Sequence, residues 1–165
     1  MLRVISLRMR GAFWRFWCLA FVSYCGSKPF VNHHCKFKAE MLLGRNVNFN
    51  GARILGGGKV LIGDNFHSGF GLTILTANHN FHGDSIPYDK AVIKKDVTVA
   101  DNVWVGIDVL ILPGVKIGEG VIVQAGSVVS GNVPDLAIVG GNPAKVIKWR
   151  DKEHYYRLKS DGKFL

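Results

Sequence analysis

The first 39 residues of this 165-residue chain contain no Asp or Glu, yet they hold Arg3, Arg8, Arg10, Arg15, Lys28, Lys36 and Lys38. They feed a formal net charge of +9. A one-signed surface favours anionic partners: nucleic acid, acidic lipid or a phosphorylated cofactor. Nucleic acid is set aside, because the chain has no helix-turn-helix, no zinc-finger spacing and no aromatic RNA-binding signature. Cysteine is scarce. The three, Cys18, Cys25 and Cys35, are odd in number and match no common zinc or redox spacing. They read as reduced thiols of a cytosolic protein. Long apolar runs are missing as well, since none reaches the ~20 residues needed to span a bilayer. What the chain does hold is 48% hydrophobic residues and 20 glycines. The first excludes a disordered polar chain. The second points to many tight corners, because Gly takes positive φ without a Cβ penalty. The length suits one domain with a real core.

The basic start is also aromatic. Phe13, Trp14, Phe16, Trp17, Leu19 and Phe21 lie beside Arg8, Arg10 and Arg15. The run superficially resembles a signal peptide, but Arg15 interrupts it and no small-x-small cleavage site follows. Residues 1–39 are expected to form a basic aromatic helical segment. Two uses stay open: peripheral contact with an anionic membrane at its cytoplasmic face, or packing against the chain's own oligomer.

From residue 97 onward the chain divides into sixes. Val99, Val105, Ile111, Ile117, Val123 and Val129 recur at that spacing, and Val103, Val109, Val115, Val121, Ser127 and Val133 follow four residues after each. Gly or another small residue follows several of the leading aliphatics, as in Val105-Gly106 and Ile117-Gly118. This is neither the 3.6-residue period of a helix nor a long alternating strand. It fits short strands separated by sharp corners, where Asn and Gly take left-handed backbone conformations. Three strands close one triangular turn, and turns must stack to bury their apolar faces. The pattern runs back through Val60-Leu61-Ile62-Gly63-Asp64-Asn65-Phe66 and weakens through Ile54 and Leu42. It slips between Ala77 and Ala91, which marks 78–90 as an inserted loop, and such a loop is where function tends to sit. The expected fold is all-β: a parallel β-helix over 40–148, with a short N-terminal helical segment and a C-terminal helix over 149–165. Parallel connections are overwhelmingly right-handed, and periodicity alone leaves the hand of the coil open.

Several segments carry a more specific signal: Thr76-Ala77-Asn78-His79, Asp101-Asn102-Val103-Trp104-Val105-Gly106, Ile111-Leu112-Pro113-Gly114-Val115, Gln124-Ala125-Gly126-Ser127-Val128-Val129 and Val139-Gly140-Gly141-Asn142-Pro143-Ala144-Lys145. In this order they resemble the hexapeptide-repeat acyltransferases, particularly the maltose, galactoside and polysaccharide O-acetyltransferases. The resemblance covers roughly residues 42–148. It implies a left-handed coil, a homotrimer with active sites between neighbouring coils, and acetyl-CoA as co-substrate without a metal. It assigns His79 as the catalytic base, and Trp104, Gly106, Ala125 and Lys145 to the CoA groove. Asn50 and Asn78 are carried over as acceptor contacts, Asn50 on a loose alignment in which a plain corner Asn is the competing reading. The implied acceptor is a saccharide hydroxyl in polysaccharide or glycolipid modification.

The chemistry suits these assignments. A sugar hydroxyl attacks a thioester poorly while it keeps its proton, and a neutral imidazole, with an ordinary pKa near 6.5, can take that proton at neutral pH. A backbone N–H near the thioester oxygen would stabilise the oxyanion. Gly106 and Ala125 would admit the pantetheine arm, although tight coil packing explains them equally well. Lys145, and Lys148 beside it, would meet the phosphates. The chain departs from many relatives in having Ser130-Gly131 where they carry Thr-Lys, so one CoA-phosphate contact is in doubt.

Rival readings keep their place. The same fold serves γ-type carbonic anhydrases, with His67, His79 and His82 as candidate zinc ligands, but the paired histidines five residues apart are absent. A non-catalytic β-helix, or a small amine, antibiotic or serine acceptor, is also compatible with the repeat. For the N-terminus, deletion of residues 1–25 is expected to release the protein from anionic liposomes in a co-sedimentation assay. Full-length protein that never sediments with them leaves oligomer packing as the role of the segment.

Overall fold

The hexapeptide pattern becomes three walls in the computed structural model, which describes residues 20–165. Phe13, Trp14, Phe16, Trp17 and Cys18 lie outside the described residues. The first wall pairs β1 (Val22–Cys25), β4 (Met41–Leu43), β7 (Val60–Ile62), β12 (Val97–Val99) and β15 (Lys116–Ile117), all parallel. The second stacks β2 (Phe30–Val31), β5 (Asn48–Phe49), β8 (His67–Ser68), β13 (Trp104–Val105), β16 (Ile122–Val123) and β18 (Ala137–Gly141). It closes with the antiparallel β19 (Ala144–Trp149). The third holds β3 (Lys36–Phe37), β6 (Ala52–Leu55), β9 (Leu72–Leu75), β14 (Leu110–Ile111) and β17 (Val128–Val129). The chain visits the walls in fixed order, so each coil adds one strand to each. This is the expected left-handed parallel β-helix.

All twelve residues of the six-residue pattern from Val99 to Val133 are buried. Lower in the column the same interior places hold larger side chains, and Phe37, Phe49 and Phe66 pack ring to ring with centroids 5.2 and 5.7 Å apart. Leu42 departs from the sequence reading: Met41 and Leu43 point inward, and Leu42 is the outward residue between them.

The small residues that follow the aliphatics have a specific cause. Asp64, Asp101 and Asp135 each reach back one coil to accept a backbone N–H, from Arg45 at 2.7 Å, Asp64 at 2.7 Å and Glu119 at 2.8 Å. A Cβ on Gly44, Gly63 or Gly118 would collide with those carboxylates. Beside them runs a ladder of side-chain amides. Asn46 Nδ2 donates to Asn65 Oδ1 at 3.1 Å, and Asn65 Nδ2 donates to Asn102 Oδ1 at 2.8 Å. All three sit in the left-handed region, with φ of 54°, 55° and 60°.

The ladder ends on the C-terminal helix α1 (Lys152–Ser160), which Asp151 caps by accepting the His154 N–H. Asn102 Nδ2 donates to the Tyr155 hydroxyl at 2.9 Å, and that hydroxyl donates to Glu119 at 2.8 Å. Burial, then the bond to Glu119, pushes the Tyr155 phenol well above its ordinary value. Burial works to raise the Glu119 carboxyl, but the hydrogen bonds from Lys159 and Tyr155 prevail and hold it below the usual range.

Two boundaries need correction. Residues 22–39 are not a helical segment; they form the first coil, with Val22 paired to Met41, Val31 to Phe49 and Phe37 to Ile54. Cys35, Phe37 and Ala39 fill its interior, which hides the usual Val/Ile signature. A deletion that leaves this coil whole therefore ends at residue 19. At the other end, 144–149 is strand, and the helix expected over 149–165 is confined to Lys152–Ser160.

Asn102→Ala removes two side-chain hydrogen bonds and leaves at φ 60° a residue without the polar side chain that lets Asn tolerate this conformation, so it is expected to cost about 1–3 kcal/mol. Asn102→Gly keeps the backbone conformation and should cost less. Thermal unfolding of the two variants checks the order; equal losses would remove backbone strain as a cause.

Candidate functional site

The inserted loop is an antiparallel ribbon, β10 (Ala77–His79) and β11 (Val92–Lys94), standing off the corner between the third and first walls. Its root is Thr76, fully buried; the Thr76 hydroxyl donates to the Leu55 carbonyl at 3.2 Å and accepts the Gly58 N–H at 3.2 Å. The Thr-x-x-His spacing thus has a local reason: Thr76 locks the ribbon to the coil, and three residues later His79 clears the surface. His79 is exposed, pairs with Val92, and lies face to face with the Tyr88 ring, the centroids 4.0 Å apart and the planes 14° from parallel.

The end of the ribbon is clasped. Asn80 Nδ2 donates to Asp89 Oδ2 at 2.9 Å, the Asp89 N–H donates to the Asn80 carbonyl at 3.0 Å, and the Ala91 N–H donates to Asp89 Oδ1 at 2.7 Å. Sequence reasoning passed over Tyr88, Asn80 and Asp89. The available signal was turn chemistry, an Asn and an Asp able to hydrogen-bond local backbone on either side of a loop. Asn78 is exposed on the same ribbon, paired with Ile93.

The residues assigned to the cofactor gather elsewhere. Gly106 and Ala125 stack at the corner between the second and third walls, where the Gly126 N–H bonds the Ile107 carbonyl at 2.8 Å. Lys145 joins that corner through its pairing with Gly140. A Cβ on Gly106 would lie 2.6 Å from the Ala125 nitrogen, so Gly106 is required by the coil itself. Ala125 and Lys145 are exposed. Asn50 is tied into its corner, donating to the Ser68 carbonyl at 2.8 Å and accepting from Asn32 at 2.7 Å.

Trp104 projects from the second wall, 57% exposed, between His67 and Ile122. It forms one side of a groove of about 520 Å³ whose other side is α1 and the tail, with Arg150, Lys159, Lys163 and Phe164. That volume falls in the range of ligand-sized sites, roughly 300–1,000 Å³. His67 lies in the same groove, 3.2 Å from Asn48 Nδ2, and burial pushes its imidazole below its ordinary value, which favours the neutral ring.

The structure therefore brings Gly106, Ala125 and Lys145 together at one corner, keeps Trp104 on the adjoining wall, and places His79 and Asn78 at the next corner. The width of the third wall separates them, on the order of 15–20 Å for six residues at ~3.3 Å each. The proposed zinc ligands are likewise apart, His67 on the second wall and His79 and His82 on the ribbon and its loop. Among the described residues no group of three or more His, Cys, Asp or Glu could hold a metal ion.

Comparison with known proteins agrees with this architecture. The profile of the family described as bacterial transferase hexapeptide (six repeats) matches residues 91–131. The galactoside O-acetyltransferase of Escherichia coli K12 is 33% identical over 126 residues, which are 73% of this chain and 61% of that protein. The chain spans little more than half the length of the first curated relatives it matches, 59% and 55%. A maltose O-acetyltransferase from Clostridium difficile 630 superposes with a TM-score of 0.56 at 27% identity, over 79% of this chain and 67% of that one. AntD, an N-acyltransferase from Bacillus cereus solved with dTDP and 3-hydroxybutyryl-CoA, shares the fold with a TM-score of 0.71 at 24% identity, over 87% and 82% of the two chains. With its repeat, its motifs and these relatives in agreement, the chain is similar over its β-helix to the hexapeptide-repeat acetyltransferases.

Proposed function

We propose that the chain is an acetyl-CoA-dependent O-acetyltransferase that acetylates a saccharide hydroxyl by direct transfer, with His79 as general base. The observation that carries this reading is an exposed imidazole presented on a ribbon whose root, Thr76, is locked into the coil. The galactoside and maltose acceptors named for two relatives support a sugar, and the CoA ester named in AntD supports a CoA thioester as donor.

In the reaction, the acceptor oxygen forms a bond to the thioester carbon while its proton passes to the His79 imidazole. The tetrahedral oxyanion needs a donor, which a backbone N–H at a coil corner can supply. Collapse of the intermediate breaks the carbon–sulfur bond, and the imidazolium returns its proton to the departing thiolate. No covalent enzyme intermediate is required. Ala125 would leave room for the pantetheine arm, Trp104 would flank it, and Lys145 would face phosphate.

A general base must come within about 3 Å of the proton it takes, directly or through one water. His79 and the Ala125 corner of one copy are separated by a full wall, which favours a site completed between copies, as in a homotrimer. The exposed apolar side chains of the ribbon region, Phe81, Ile86 and Tyr88, suit such a contact.

His79→Ala is expected to lower turnover by ~10²-fold or more with the fold intact. The assay follows CoA release from acetyl-CoA with a panel of saccharides and, as controls, amines. Unchanged turnover would remove His79 as the base. At the cofactor corner two variants should separate packing from binding. Gly106→Ala drives a Cβ against the Ala125 backbone and should cost about 1–3 kcal/mol of stability. Ala125→Leu faces outward and should leave the melting temperature alone while weakening CoA binding by calorimetry. Undiminished CoA affinity in the Ala125 variant would move the cofactor to another surface.

A further inference from the structure

Two features of the ribbon are left over once His79 is called a base: the aromatic plate against its ring and the clasp beneath it. His79 and Asn80 are neighbours on one side of the ribbon, and Tyr88 and Asp89 are neighbours on the other. The Asn80–Asp89 bonds at 2.9 and 3.0 Å close the loop. In doing so they bring the two rings to 4.0 Å and within 14° of parallel. Asp89 is fixed from both of its oxygens, one on Asn80 and one on the Ala91 N–H. A Cβ on Gly83 would collide with its carboxylate, so Gly83 lets the loop fold down onto the clasp.

We propose that Tyr88 is the positioning residue of the base: its ring, held by the Asn80–Asp89 clasp, fixes the plane of the His79 imidazole so that the accepting nitrogen points at the acceptor hydroxyl. The proposal rests on His79 being the base. The lone pair that takes a proton lies in the plane of the imidazole. A plate against one face therefore fixes the direction in which that lone pair points and leaves the ring's edges open to substrate. Among the described residues no side chain hydrogen-bonds either ring nitrogen of His79, so within one copy the stack does the work that a carboxylate does in a hydrogen-bonded His–Asp pair. The plate has a second effect during transfer. Once His79 has taken the proton it is a cation lying over the face of an aromatic ring, an attractive arrangement that exists only after proton transfer has begun. Such an interaction favours the transition state over the ground state, and so acts on turnover.

The test compares wild type with Tyr88→Leu, Tyr88→Phe and Asp89→Ala in two assays. The first is NMR of the His79 ring protons, assigned with the His79→Ala variant; it does not depend on activity. In the wild type and in Tyr88→Phe these protons should carry the upfield ring-current shift of a stacked aromatic, and the shift should vanish in Tyr88→Leu. The second is steady-state kinetics with acetyl-CoA and maltose or a β-galactoside as acceptor probes, or water if neither is accepted. Tyr88→Leu should lose about 10- to 100-fold in kcat, the scale of a small misplacement of a reacting group, with KM unchanged. Tyr88→Phe should restore most of the loss, and Asp89→Ala should reproduce it in part. No ring-current shift in the wild type, or full kcat in Tyr88→Leu, overturns the proposal. If His79→Ala itself keeps full turnover, the base reading has failed, and the NMR result still reports separately whether the stack exists.

Discussion

Each coil hangs from its neighbours by backbone hydrogen bonds that run along the axis, such as Gly63 N–H to the Val99 carbonyl at 2.9 Å and Trp104 N–H to the Val121 carbonyl at 3.0 Å. A single turn has no other partner for these groups, and an unpaired buried amide is costly. The spacing between coils is therefore fixed by the peptide unit, and everything else conforms to it. The corners must turn within one or two residues, which puts Asn46, Asn65, Asn102 and Asp108 at positive φ. The wall-to-corner junctions must be thin, which admits only glycine at 44, 63 and 118 where the next coil's aspartate intrudes. Side chains choose the hand-holds; the backbone sets the pitch.

The same constraint explains why the chain can carry an insertion. The first wall passes directly from β7 to β12, Val60 pairing with Val97 and Ile62 with Val99, as though the ribbon between them were absent. Because the coil closes above and below, the ribbon is free of the coil's pairing rules. It is fastened at its root, where the Thr76 hydroxyl bonds Leu55 and Gly58 of the body and the Lys95 N–H bonds the Thr76 carbonyl at 2.9 Å. A rigid platform with a short, well-anchored arm is a sound way to hold a reacting group in place.

The upper coils were legible from sequence because their interior is filled by one residue type at one spacing; Val105, Ile111, Ile117 and Val123 announce the period. The lowest coil was not, because Cys35, Phe37 and Ala39 fill the same places with unlike shapes. In the ribbon, His79 was legible through its motif. Tyr88 was not, since the contact joins residues nine apart across a loop whose closure depends on one Asn–Asp pair. Nor does periodicity say that His79 and Ala125 occupy different corners. That follows only from counting walls, and it is why a second copy enters the account of the reaction.

The C-terminal tail changes how such a solenoid comes apart. Stacks of coils contact only their nearest neighbours, so they are prone to fray from an end, one layer at a time. Here Asn46 Nδ2 donates to the Leu165 carbonyl at 2.7 Å, across 119 residues of sequence. The Asn102–Tyr155–Glu119 bonds tie the same appendage to higher coils. The tail is thus a strap laid along one edge of the prism, fastened at several storeys. Loosening one of these coils pulls on the others, and a molecule that would otherwise peel acquires some of the all-or-none character of a globular domain.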